Sequence, residues 1–162
     1  MSGLIGAVAS RSGILGRGAD GSSFTACFAH GSSWHQYSHN QKIDFNDAST
    51  GHLHNNGNNF NTSTMSYVAP IDGRYHFGWN IYTQWNDLSN SFELIVDGDR
   101  PLSANNTRGY YSLATEVSGT TDHFNNFDGI VELTAGNAVW VESHYTSDVH
   151  ANLSIFYGYQ LT

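Results

Sequence analysis

Ten consecutive residues alternate without a break. Tyr75, Phe77, Trp79, Ile81 and Thr83 fall on one side of an extended chain, and His76, Gly78, Asn80, Tyr82 and Gln84 fall on the other. A period of two is what a β-strand imposes on its side chains, because successive Cβ atoms point to opposite faces. A second segment repeats the pattern, with Val139, Val141 and Ser143 opposing Trp140, Glu142 and His144. Other short β-like runs cover residues 24–30, 42–46, 64–69, 91–97, 109–117, 124–134 and 153–161, and the two alternating segments extend over 73–85 and 138–145. Between them lie turn formers such as Pro70-Ile71-Asp72-Gly73, Val96-Asp97-Gly98-Asp99 and Ala135-Gly136-Asn137. No window carries a sustained 3.6-residue apolar period. The expectation is an all-β, two-sheet antiparallel sandwich of about ten strands.

Composition supports strands and excludes several partners. Aromatic residues make up 14% of the chain and charged residues only 12%, so large rings supply much of the core. The net charge is −8, and Lys42 is the sole lysine. Phosphate-backbone binding needs clustered Lys and Arg to displace counterions. The arginines here are scattered, which argues against nucleic acid and against anionic membrane surfaces. No stretch has the length of a signal-peptide core or a membrane span, so membrane insertion is not expected. Cys27, the single cysteine, rules out an intrachain disulfide. It sits in the run Phe24-Thr25-Ala26-Cys27-Phe28-Ala29 and reads as a small buried hydrophobe.

Residues 1–22 differ from the rest. Six glycines occur there, and Ser2-Gly3-Leu4-Ile5-Gly6 returns as Ser12-Gly13-Ile14-Leu15-Gly16. Glycine at this density opposes an autonomous helix. The segment reads either as a linker or as the end of a stalk, and residues 23–162 form the head.

Several pieces of the head resemble the C1q domain, a branch of the C1q/TNF jelly-roll superfamily. Phe24-Thr25-Ala26 looks like its opening strand, and Ile43-Asp44-Phe45-Asn46 like the next short one. Asn56-Gly57-Asn58-Asn59-Phe60-Asn61 is similar to the family's N-x-G-x-x-F/Y segment. The stretch Tyr67-Val68-Ala69-Pro70-Ile71-Asp72-Gly73-Arg74-Tyr75-His76-Phe77 resembles F-x-A-P-x-x-G-x-Y-x-F. Leu133-Thr134-Ala135-Gly136-Asn137-Ala138-Val139-Trp140-Val141 resembles L-x-x-G-D-x-V-W-V, with Asn137 where Asp is usual. Ser154-Ile155-Phe156-Tyr157-Gly158-Tyr159-Gln160-Leu161 resembles the closing S-x-F-S-G-x-x-L. The resemblance implies a jelly roll with Phe60, Tyr67, Tyr75, Phe77, Trp140, Phe156 and Tyr159 as its aromatic core. It also implies a homotrimer. Tyr82, Tyr157 and Tyr159 give that implication independent support, since a second aromatic face on a sheet suits burial against a neighbour.

Strand parity sorts the loops. With both termini at a base, the turns at 69–73, 97–109 and 135–137 fall at the base as well. The opposite tip receives loops at about 31–41, 84–91, 118–124 and 145–152. In a stalked trimer these apical loops face outward. They carry Trp34, His35, Tyr37, Trp85, Asn86, Asp87, Asp122, His123, Tyr145, Asp148 and His150 as candidate ligand-binding residues, with His39 and Thr121 beside them. Rings can stack on the apolar face of a sugar while short carboxylates and amides bond its hydroxyls, and exposed polar aromatics equally suit protein contacts. Asp87, Asp122 and Asp148 come from three loops and form a candidate Ca²⁺ set, because hard oxygen ligands suit that ion. No cofactor is otherwise required. His52 and His54 have a chelating spacing but no evident third ligand. The sequons at Asn61, Asn105 and Asn152 carry little weight in so Asn-rich a chain.

The lead-in has no Gly-x-y repeat, and its glycine-rich Leu-Ile texture resembles that before bacteriophage fibre tips. The expected function is therefore a trimeric receptor-binding or decorating head on an upstream fibre or stalk. It would sit on the virion and recognise a cell-surface glycan or protein. A secreted C1q-domain lectin of innate immunity and a purely structural trimerisation cap are the alternatives. An enzyme is not expected: Glu93, Glu116, Glu132 and Glu142 lie within the strand-like runs, and no catalytic motif is present.

Overall fold

A computed structural model describes residues 22–27, 34–45, 54–84, 91–98, 122–144, 146–150 and 153–161. Among these the chain forms eleven strands and no α-helix. They are β1 (Ser23–Cys27), β2 (Trp34–Tyr37), β3 (His54–Asn56), β4 (Phe60–Asn61), β5 (Ser66–Val68), β6 (Gly73–Thr83), β7 (Phe92–Val96), β8 (His123–Leu133), β9 (Ala138–Ser143), β10 (Ser147–His150) and β11 (Ile155–Gln160). The alternating segment 75–84 supplies most of β6, one of the two longest strands. Its inward residues Tyr75, Phe77, Trp79, Ile81 and Thr83 are all buried.

Two antiparallel sheets result. The larger has seven strands in the order β2-β10-β6-β11-β1-β3, with β8 pairing along β6. The smaller has the order β4-β5-β9-β7. The last strand closes on the first, with Ser23 opposite Tyr159 and Cys27 opposite Ile155. This is the jelly-roll sandwich expected.

The core between the sheets is aromatic. Phe24 lies 4.7 Å from Phe60, 5.0 Å from Tyr67 and 5.0 Å from Phe156, ring centroid to centroid. Such stacked and edge-on pairs add specific attraction to the burial of large apolar area. Two polar pairs lie inside it. The Tyr67 and Ser22 hydroxyls lie 2.5 Å apart, and buried Trp79 donates Nε1–H to Asn125 Oδ1 at 3.2 Å. Burial pushes the Tyr67 phenol up to about 12.

The base turns sit together. Ala69 N–H donates to the Asn137 carbonyl, Gly136 N–H to the Ala69 carbonyl, and Ala135 N–H to Asp72 Oδ1 at 2.8 Å. Asp97 accepts from Ala138 N–H at 2.7 Å and from the Asn137 side-chain amide. The turns after β5, β7 and β8 are thus knitted into one end, as strand parity requires.

Several expectations change. Of the segment 42–46, the described residues 42–45 form no strand. Lys42 makes an isolated bridge to Glu142 on β9, Ile43 N–H donates to the Val141 carbonyl at 2.9 Å, and Phe45 N–H turns back onto the Ile43 carbonyl at 2.9 Å. Trp140 and Tyr159 leave the core list, because alternation puts Val139, Val141, Phe156 and Gly158 inward instead. The runs at 31–41 and 145–152 are not simply loops: β2 and β10 lie inside them and pair with each other, Trp34 opposite His150 and Tyr37 opposite Ser147. These four-residue strands carry too few apolar residues to show a period. The expected run at 109–117 lies outside the described residues.

Candidate assembly and binding surface

The two outer faces of the sandwich differ in chemistry. On the smaller sheet, charged side chains lie beside Trp140 and the exposed Val68. The Lys42 ammonium lies 4.0 Å over the Trp140 ring, Trp140 Nε1–H donates to Glu142 at 2.8 Å, and His144 Nδ1 lies 3.1 Å from Glu93.

The larger sheet turns rings and aliphatics outward. Phe124, Ile130 and Tyr159 are 44%, 40% and 42% exposed. Register makes the face continuous: Ile130 on β8 stands opposite His76 on β6, and His76 opposite Tyr159 on β11. His76 stacks on Tyr159 with centroids 4.8 Å apart. Toward the tip, Trp34 stacks on Tyr82 at 5.6 Å, Tyr82 meets Phe124 at 4.7 Å, and His150 packs edge-on to Trp34 at 5.0 Å. One row thus crosses β2, β10, β6 and β8.

A polar strut crosses the same face. Gly78 on β6 stands opposite Asp128 on β8 and Tyr157 on β11. A Cβ at Gly78 would meet the Tyr157 ring and hydroxyl at 2.5 Å and Asp128 Oδ1 at 2.7 Å. Because glycine leaves that space open, Tyr157 reaches over β6 and donates its hydroxyl to Asp128 Oδ1 at 2.8 Å. His76 Nε2 lies 3.1 Å from the same oxygen. Burial, then the hydrogen bond and charge of Asp128, push the Tyr157 phenol up to about 12.

The candidate ligand residues separate on this frame. Trp34 and His150 come together in the outward row. His35 faces the other way and packs edge-on to Tyr37 at 4.7 Å. Tyr37 is fully buried, so it is a core residue and not an apical ligand contact. Its place follows from the two-residue alternation of β2, and burial pushes its phenol up. Asp122 is exposed at the foot of β8, and His123 pairs in register with Thr83. Asp148 shares the outward side of β10 with His150. Trp85, Asn86, Asp87 and Tyr145 lie outside the described residues, and with Asp87 so does one member of the three-loop Ca²⁺ set. Among the described residues no group of three or more His, Cys, Asp or Glu is placed to hold a metal ion. Sequence reasoning missed Phe124, Ile130 and Asp128. Their signal was present, since 124, 126, 128, 130 and 132 alternate with the buried side of β8.

The C1q domain model matches residues 23–161. The chain belongs to the C1q domain family. Solved structures agree on the fold. The globular domain of zebrafish complement 1qA is 16% identical with a TM-score of 0.59, covering 88% of this chain and 98% of that one. Eiger TNF from S. frugiperda is 12% identical with a TM-score of 0.61, covering 88% and 94%. No curated protein sequence matches at a significant level. C1q and TNF domains are binding modules without enzymatic activity that typically form homotrimers, and C1q domains are commonly extracellular. The outward face of β6, β8 and β11 is the part of this C1q head whose chemistry suits a neighbour.

Proposed function

We propose that this C1q head is a homotrimer that recognises a cell-surface glycan or protein at the tip of a phage fibre. The carrying observation is the contrast between the two outer faces. A single copy leaves Phe124, Ile130 and Tyr159 more than a third exposed on one sheet, whereas the other exposes Val68 beside the charged groups of Lys42, Glu93 and Glu142. Exposed apolar patches on one sheet face mark association. With that face turned to sister copies, the ends of β6, β8 and β10 opposite the termini point away from any stalk. Trp34, Trp85, Asn86, Asp87, Asp122, His123, Tyr145, Asp148 and His150 then supply or adjoin the ligand surface, and the protein acts by binding and not by catalysis. The glycine-rich lead-in, without a collagen repeat, supports the fibre setting.

Sedimentation equilibrium checks the assembly: the wild type is expected as a trimer and Ile130→Asp as a folded monomer. Glycan arrays and whole-cell binding with the intact trimer check recognition. Failure to bind any bacterial envelope counts against the fibre setting. Family membership favours a second setting, a secreted recognition lectin, because C1q domains are commonly extracellular. Binding restricted to microbial glycans by a host-encoded chain would select it.

A further inference from the structure

His76 lies on the outward face away from the residues assigned to recognition. We infer that His76 makes assembly of the trimer proton-linked, tightening it as pH falls. The inference rests on the trimer reading above.

The geometry sets the sign. His76 stands in the apolar stretch of the face, stacked on Tyr159 and 3.1 Å from Asp128 Oδ1 through Nε2. Its Nδ1 is already dry in a single copy and has no hydrogen-bond partner. Protonation therefore leaves one Nδ1–H without an acceptor in the free copy and in the trimer alike, and that cost cancels in the difference. Asp128 does change. It is 63% exposed in the free copy. Covering it removes water from a carboxylate that, among the described residues, is held by Tyr157 and His76. With a neutral imidazole, each copy then brings one uncompensated negative charge into an apolar contact, repeated by symmetry. With a protonated imidazole, each copy brings a neutral pair. Burying an unpaired charge is far costlier than burying a hydrogen-bonded pair. Covering the face thus favours proton uptake, and by linkage a lower pH favours covering the face.

The surrounding charges do not reverse this. On β6 the other charged group on this side is Arg74, whose register partner on β8 is Glu132. From β8 comes Asp128. From β11 come the Tyr157 and Tyr159 phenols. Beyond β11, Ser23 on β1 hydrogen-bonds His54 on β3 at 3.1 Å. His150 and Asp148 lie on β10 at the tip end of the face. Asp128 is the carboxylate in contact with His76.

The test is sedimentation equilibrium of the full chain between about pH 8 and about pH 6, with circular dichroism as a check on folding. Uptake of one proton per trimer raises the association constant about tenfold per pH unit. The wild type is expected to show at least that slope. His76→Gln keeps a donor for Asp128 but cannot titrate in this range, so its slope is expected to fall towards zero. Asp128→Asn removes the buried charge and is expected to trimerise tightly at both ends of the range. A flat wild-type profile, or an unchanged slope in His76→Gln or Asp128→Asn, overturns the inference while the trimer stands. A chain that stays monomeric at every pH overturns the trimer reading itself.

Discussion

The side-chain amide of Asn137 donates to the carboxylate of Asp97, while its own Oδ1 accepts Thr134 N–H at 2.7 Å. An aspartate at 137 would keep the second contact and turn the first into two facing carboxylates. Asn137→Asp is expected to cost about 1–3 kcal/mol at neutral pH. The cost should shrink near pH 4, where ordinary carboxylates take up protons and one can donate to the other. Urea unfolding at the two pH values measures it.

Filling the gap at Gly78 should break the strut above it. Gly78→Ala is expected to destabilise the fold by about 1–3 kcal/mol, since overpacking forces neighbours off their rotamers. Tyr157→Phe removes only the hydroxyl bond and should cost about 1 kcal/mol. Chemical denaturation of the two variants separates crowding from hydrogen bonding.

Phe24 touches four other rings at the seam between the sheets. Phe24→Ala is expected to cost about 3–5 kcal/mol, through lost burial and an unfilled cavity. Calorimetry should show a large fall in Tm with the transition still cooperative.

Alkali should unfold the protein through its phenols. Tyr67 and Tyr157 are each pushed up to about 12, mainly by burial. Below about pH 10 both phenols are neutral in folded and unfolded chains alike, so their contribution to stability is level there. Above that, the unfolded chain ionises first, and stability is lost as pH rises towards about 12. Tyrosinate absorbance should lag in the folded protein and jump on unfolding. Tyr157→Phe should weaken the dependence.

Recognition is expected to localise at the tip. Trp85→Ala and Asp122→Ala should lower envelope binding with Tm unchanged, whereas Tyr37→Ala should lower Tm because that ring is buried. Binding isotherms beside melting curves distinguish the two.

The long strands were legible in the sequence because alternation over β6 and β9 has only one geometric reading. The base turns were legible because Pro70, Gly73, Gly98 and Gly136 punctuate them and antiparallel pairing fixes which end they reach. Tyr37 was misplaced because a four-residue strand such as Trp34–Tyr37 shows no period until its partner is known. The outward role of Tyr159 competed with a core role because rings occur on both sides of β11. The Tyr157–Asp128 strut was not legible at all. It joins residues 29 positions apart across an intervening strand, and only register reveals that the residue between them is Gly78.

The knitted base has a consequence for variation. Its hydrogen bonds and the Phe24 ring cluster specify the fold from the end that holds the termini. Thr83, His123 and Ser143, which end β6, begin β8 and end β9, lie at the opposite end from those bonds. Variation at that opposite end leaves the knitted base and the Phe24 cluster untouched. A scaffold of this kind lets one end change while the frame beneath it stays constant.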